Sequence, residues 1–219
     1  MFIEVTKSLM VGFLSTIKLF TLTLVFSLPL GLILSLALIS KRKYLRYPVE
    51  LLIWIIRGTP LLLQLLVVYY GPGILLQMNI WKNGDSGRFL ASLIAFVINY
   101  ACYFAEIYRG GIQSVPEGQR EAGKVLGLSQ REIFIHIILL QSIKRILPPI
   151  SNEVITLVKD TALARTIAVY EITWMGQTYI RSKGIVWPLF YTGVFYLLFN
   201  GLVTIIFSKL EKKLSYFKV

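Results

Sequence analysis

Three runs of the chain, residues 19–40, 89–108 and 187–208, are apolar along nearly their whole length. Each is about as long as a helix needs to cross the hydrocarbon core of a bilayer. Two further runs have the length but carry interruptions. Residues 48–70 are broken by Arg57-Gly58-Thr59-Pro60, and 151–170 contain several charges. Upstream, 2–18 alternates an apolar stripe (Phe2, Val5, Leu9, Phe13, Ile17) with a polar one (Glu4, Lys7, Ser8, Ser15, Lys18). That pattern predicts either an interfacial helix or the outer end of one long tilted span. No small-residue cleavage site follows the first run, so it is expected to be retained as a span.

Residues 114–147 are the one long polar stretch. Ser114 with Glu117 and Ser129 with Glu132 have the spacing of two capping boxes, and Gly127 suits a left-handed helix end. Ile133, Phe134, Ile137 and Ile138 then recur at helical spacing. Two helices meeting at a hinge are predicted, with Pro148 and Pro149 ending the second.

Composition sharpens this picture. With 56% hydrophobic and 16% charged residues and a mean hydropathy of +0.69, the chain has more apolar side chains than a soluble domain of 219 residues buries. The predicted class is an all-α membrane protein, one domain over 1–219, with five transmembrane helices and a cytoplasmic helical loop over 114–147. The net charge of +12 comes from Lys and Arg at the ends of apolar runs, not interleaved with aromatics on one face, so nucleic acid is not the expected partner. The loop after the first run, the polar stretch from Arg109 to Arg145, and the tail carry four, six and four basic residues, against two in each remaining loop. The positive-inside rule then puts the N-terminus outside and the tail in the cytoplasm.

The polar stretch resembles a known family. Glu121-Ala122-Gly123, three residues, Gly127, nine residues, Ile137 and Leu139 are similar to the EAA loop of bacterial ABC import permeases. Gly123 stands where a second Ala is common and Leu140 where a Pro is common. Arg57-Gly58-Thr59-Pro60-Leu61-Leu62-Leu63-Gln64-Leu65 narrows the resemblance to the polar, basic amino acid branch. The resemblance implies a type I ABC importer-like fold in the bacterial inner membrane. It also implies coupling residues Arg120, Glu121, Ala122, Gly123, Gly127, Leu128 and Ile137 docking into an ABC ATPase subunit. Its further implications are two ATPase copies, a second permease subunit forming a homodimer, and an extracytoplasmic solute-binding protein. This chain has no G-x-x-x-x-G-K-[ST] loop, so ATP and Mg are expected on the partner, with no cofactor bound here and no enzymatic activity in this subunit.

The charged span carries the candidate chemistry. Glu153 and Asp160 are seven residues apart and fall nearly on one helix face, with Thr156 between them. Asp160 lies about 16 Å beyond Pro149 at 1.5 Å per residue, near the middle of a core about 30 Å thick. Charges at that depth cost several kcal/mol and are functional or paired. A basic amino acid offers cations to the two carboxylates, and Arg57 at comparable depth suits its carboxylate; arginine is expected first, then lysine or histidine. Gln64, Asn99 and Thr161 complete the candidate solute site.

Competing roles remain open. Asp160 pairing with Lys159 of a neighbouring subunit or with Arg57 would make it structural, and Glu153 would be hydrated at the cytoplasmic mouth. Asn99 and Asn200 suit interhelical hydrogen bonds, and Thr161 suits a bond back to its own helix. His136 has no second ligand near it in sequence, and Cys102 no disulfide partner. An importer of glutamine or another uncharged or acidic amino acid is the alternative substrate reading. A secondary carrier is the alternative class, though no inverted repeat is visible.

Overall fold

Met1 is followed by a single helix, α1 (Phe2–Ile39), about 57 Å long at 1.5 Å per residue. In the computed structural model, which describes residues 1–78, 80–82 and 84–214, the stripe predicted over 2–18 is therefore the outer part of one long helix. Lys218, counted in the basic tail, lies outside the described residues. The buried positions Val5, Leu9, Gly12, Thr16, Leu19, Thr23, Ser27, Gly31, Ser35 and Leu38 keep helical spacing from end to end. Small side chains dominate its second half, where α4 (Asp85–Gln113) packs closely. A Cβ at Gly31 would sit 2.8 Å from Phe104 Cβ and 2.9 Å from the Ala101 carbonyl oxygen. In a membrane, where apolar burial gives helices little reason to associate, such van der Waals contact between small residues holds them together.

Two helices occupy the broken run: α2 (Lys43–Arg57) and α3 (Leu61–Leu75), bent by 106° at Gly58-Thr59-Pro60. Pro60 lacks an N–H and clashes with a helical turn before it, so the ladder stops there. Gln64 holds the bend. Its amide nitrogen donates to the Ile56 carbonyl at 2.7 Å, the Thr59 carbonyl at 3.0 Å and the Thr59 hydroxyl at 2.9 Å. Buried Asn99 of α4 donates to the Gln64 carbonyl oxygen at 3.0 Å. Backbone groups freed by the bend are thereby satisfied, as a membrane requires.

The polar stretch departs from expectation at both ends. Ser114 and Glu117 form no capping box. Helix α4 runs to Gln113, so Ser114 serves as its C-cap, with its hydroxyl donating to the Gly111 carbonyl at 2.7 Å. Pro116 is instead the N-cap of α5 (Glu117–Val125). Gly127 adopts φ +74°, with Gly127 N–H on the Lys124 carbonyl and Leu128 N–H on the Gly123 carbonyl, a Schellman ending. The Ser129–Glu132 capping box is present. Its hydrogen bonds from the Ser129 hydroxyl and N–H hold the Glu132 carboxyl below the usual carboxylate range.

Helix α6 (Gln130–Ile167) then continues through Pro148 and Pro149, which do not end it. Membrane helices tolerate proline where neighbouring groups re-satisfy the freed carbonyls. It includes a π-helical turn, Ile133–Ile138, and closes with a 3-10 segment, Thr161–Ile167. The charged run thus extends one helix already begun in the polar stretch. Ala168 ends it at φ +60°.

A short helix, α7 (Ile172–Lys183), lies along the first half of α1, where the Ile172 N–H donates to the Thr16 hydroxyl at 3.2 Å. Gly12 permits the approach, since a Cβ there would meet the Ile172 backbone at 2.9 Å. The last helix, α8 (Trp187–Leu214), packs on α6 and α7. Phe13 and Phe20 of α1 meet Phe195 and Phe199 of α8 edge to face. Among the described residues there is no strand. Four helices are long and apolar enough to span a membrane, and the bent α2–α3 pair makes a fifth crossing if counted as one.

Candidate functional site

Asp160 ends the regular part of α6 and is half-buried. The Tyr100 hydroxyl of α4 donates to its Oδ2 at 2.7 Å, and Tyr100 is itself buried. Glu153, two turns earlier, is also half-buried. Among the described residues neither carboxylate forms an ion pair. The structural alternative of an Asp160–Arg57 pair within the subunit is therefore not formed. Arg57 instead lies over the Tyr103 ring, 5.1 Å from its centroid, and within electrostatic reach of Glu153. Its guanidinium faces a cavity of about 570 Å³ lined by Glu50, Trp54, Tyr103 and Glu106 among others. The two acids there are held elsewhere, Glu50 by Arg46 at 2.8 Å and Glu106 by Arg109 at 2.6 Å. Tyr100 and Tyr103, with ring centroids 6.5 Å apart, connect the Asp160 end of this region to the Arg57 end.

The other candidates divide. Thr156 is half-buried on α6 between the two acids. Gln64 and Asn99 are committed to the α2–α3 bend by the bonds described above. Thr161 is fully buried, and its hydroxyl donates to the Val158 carbonyl at 2.6 Å, within its own helix. Lys159 is exposed. Sequence reasoning did not single out Tyr100, because a tyrosine in an apolar run reads as core packing until a carboxylate is found opposite it. It missed Glu171 as well. That carboxylate is fully buried and caps α7, accepting from Thr173 N–H and Trp174 N–H at 2.7 Å each. A lone acid ahead of a polar segment carries no sign of burial.

The polar hairpin forms a second candidate surface. Gly123 is buried against Ile133 and Ile137, where a Cβ would lie 2.8 Å and 3.0 Å from their side-chain carbons. The close approach explains glycine at a position where alanine is common. Val115, Leu128, Ile133, Ile137 and Ile138 form the small core beneath it. Glu121 and Ala122 are exposed, as are Val125 (88%) and Leu126 (76%) at the tip of α5. Arg120 lies 3.7 Å from Glu117. The result is a rigid hinge presenting charge and apolar surface together.

A long-helix bundle with a bent second crossing, unpaired acids on one span and a hinged polar hairpin defines a membrane transport subunit. Residues 27–216 match the family of binding-protein-dependent transport system inner membrane components, and the chain belongs to that family. The octopine transport system permease protein OccM of Rhizobium radiobacter is 38% identical over 92% of this chain and 85% of its own. The arginine ABC transporter permease protein ArtM of Haemophilus influenzae is 31% identical over 100% and 97%. The L-cystine transport system permease protein TcyB of Bacillus subtilis is 38% identical over 74% and 66%. A crystal structure of an amino acid ABC transporter with histidines superposes with a TM-score of 0.87 at 30% identity, covering 97% of this chain and 96% of that one. The chain is thus an amino acid ABC transporter permease of the inner membrane. It is a transport subunit, and the ATPase is a separate partner.

Proposed function

We propose that this permease imports basic amino acids, arginine first and then lysine or histidine. The carrying observation is the pair Asp160 and Glu153, two half-buried carboxylates on one helix that form no ion pair among the described residues. Two unpaired anions at that depth stay ionised most readily when a cationic guest sits between them. Arg57, held on a ring face and without an ion pair among the described residues, suits the carboxylate of the same guest. The relatives named for arginine and octopine systems support a cationic or arginine-like solute, while the cystine relative makes an uncharged solute the alternative.

In this reading two copies of the chain form the membrane dimer on two ATPase subunits that bind ATP and Mg. A solute-binding protein delivers the amino acid from outside. The hairpin carrying Glu121, Gly123 and Gly127 docks on the ATPase and faces the cytoplasm with the basic tail, leaving the N-terminus outside. Closure of the ATPase pair on ATP moves the hairpin, and α6, continuous from it to Asp160, carries that movement to the solute.

Binding of labelled arginine and glutamine to the purified complex tests the solute assignment. Arginine is expected to bind at least tenfold more tightly than glutamine, and Asp160→Asn or Glu153→Gln to remove most of that preference, a change of about 1.4 kcal/mol or more. Equal binding of glutamine, unaffected by both substitutions, would assign the acids a structural role.

A further inference from the structure

The cavity beside Arg57 is lined by two carboxylates that are only half engaged. Glu106 accepts from Arg109 Nε at 2.9 Å and from Arg109 Nη2 at 2.6 Å, both on Oε2. Glu50 likewise takes both of its Arg46 bonds on Oε1, at 3.0 Å and 2.8 Å. A carboxylate offers about four lone-pair sites on its two oxygens, so each acid keeps one oxygen that accepts no hydrogen bond among the described residues. Neither arginine lines the cavity, so each acid is oriented by a residue outside its wall.

Of the two, Glu106 is the better placed. Its side chain is 22% exposed against 41% for Glu50. It lies one turn beyond Tyr103, whose ring carries the Arg57 guanidinium 5.1 Å from its centroid. Arg57 forms no ion pair among the described residues. A cation without a carboxylate and a carboxylate with a spare oxygen therefore border one space of about 570 Å³, a size usual for small-ligand sites. That pairing is the complement of an α-amino acid head group, which carries an ammonium and a carboxylate on one carbon. Asp160 is bonded to Tyr100 of the same helix, and Tyr100 is six residues, or about 9 Å, from Glu106. One extended guest with a cationic side chain spans such a gap.

We propose that Glu106 is a ligand of the solute head group, its free Oε1 accepting from the α-ammonium while Arg57 donates to the carboxylate. The inference rests on the reading of Asp160 and Arg57 as solute ligands and extends it. Asp160 and Glu153 read the side chain, and Glu106 with Arg57 reads what every amino acid shares. A hydrogen bond between charged partners is roughly twice as strong as a neutral one, so losing the ammonium or its acceptor is felt directly in affinity.

The test compares arginine with deaminated arginine, which keeps the guanidinium and the carboxylate but lacks the α-ammonium, in binding to the purified permease–ATPase complex. The wild-type complex is expected to bind arginine at least tenfold more tightly. Glu106→Gln should weaken arginine about tenfold and leave deaminated arginine within about twofold of its wild-type affinity, because only the ammonium contact is lost. A wild-type complex that binds both ligands alike would overturn the head-group role. So would a Glu106→Gln substitution that changes the two affinities by the same factor, which marks an effect on folding through Arg109 or none at all. The wild-type comparison needs no substitution, so the test survives should Glu106→Gln fail to assemble. Arginine bound equally by wild type and Asp160→Asn would instead overturn the solute assignment beneath, whichever way Glu106→Gln discriminates.

Discussion

At the scale of single residues, polar groups in this chain are either spent on holding backbone together or left unspent. Gln64 is fully spent: its two amide N–H groups are shared among three acceptors and its oxygen accepts from Asn99, stabilising a 106° bend that the missing Pro60 N–H creates. Gln64→Leu keeps the volume and removes these bonds. Side-chain hydrogen bonds between membrane helices contribute about 0.6 kcal/mol each and up to about 1.7. The substitution is therefore expected to destabilise the purified complex by about 1–3 kcal/mol, read as a fall in its unfolding midpoint. An unchanged midpoint would mean that water or lipid satisfies those carbonyls equally well. Asp160, Glu153 and Arg57 form no ion pair among the described residues, which leaves their charges for the proposed guest. In the sequence all of these were equally visible as polar residues in apolar runs. Which were spent was not, because the partner of Gln64 is 35 positions away and that of Asp160 is 60 away.

At the scale of elements, local rules worked where a single segment decides its own conformation. The Gly127 ending and the Ser129–Glu132 cap depend on neighbours within six residues and form as their spacing predicts. Ser114 and the Pro148-Pro149 pair did not follow local rules. Ser114 was already engaged by the end of α4, and the helix runs on through both prolines, which stay exposed. The consequence is mechanical. Helix α6 runs from Gln130 to Ile167, so one helix spans the distance from hairpin to Asp160, about 45 Å for 30 residue steps at 1.5 Å each. Reversing the charge at exposed Glu121 with Glu121→Lys should weaken docking. Filling the left-handed position with Gly127→Trp should distort the hinge, since φ +74° strains any side chain. In proteoliposomes both are expected to lower transport per ATP hydrolysed at least tenfold while the spans remain folded by circular dichroism. Uptake retained in both would remove the docking assignment, and with it the placement of the hairpin and tail on the cytoplasmic side.

At the scale of the whole molecule, one subunit presents a surface rich in exposed apolar side chains, a polar hairpin with an apolar tip, and two half-buried acids on one span. The class of protein was legible in the sequence because run length and charge placement are one-dimensional properties that a bilayer reads directly. The solute was less so, since it depends on which of several buried polar groups remain free after folding. The most direct measurement is a titration of arginine, lysine, histidine and glutamine, each with the delivering protein, against ATP hydrolysis by the reconstituted assembly. The basic amino acids are expected to stimulate hydrolysis at concentrations at least tenfold lower than glutamine does, and Asp160→Asn to erase the difference. Equal stimulation by glutamine, persisting in Asp160→Asn, would contradict it.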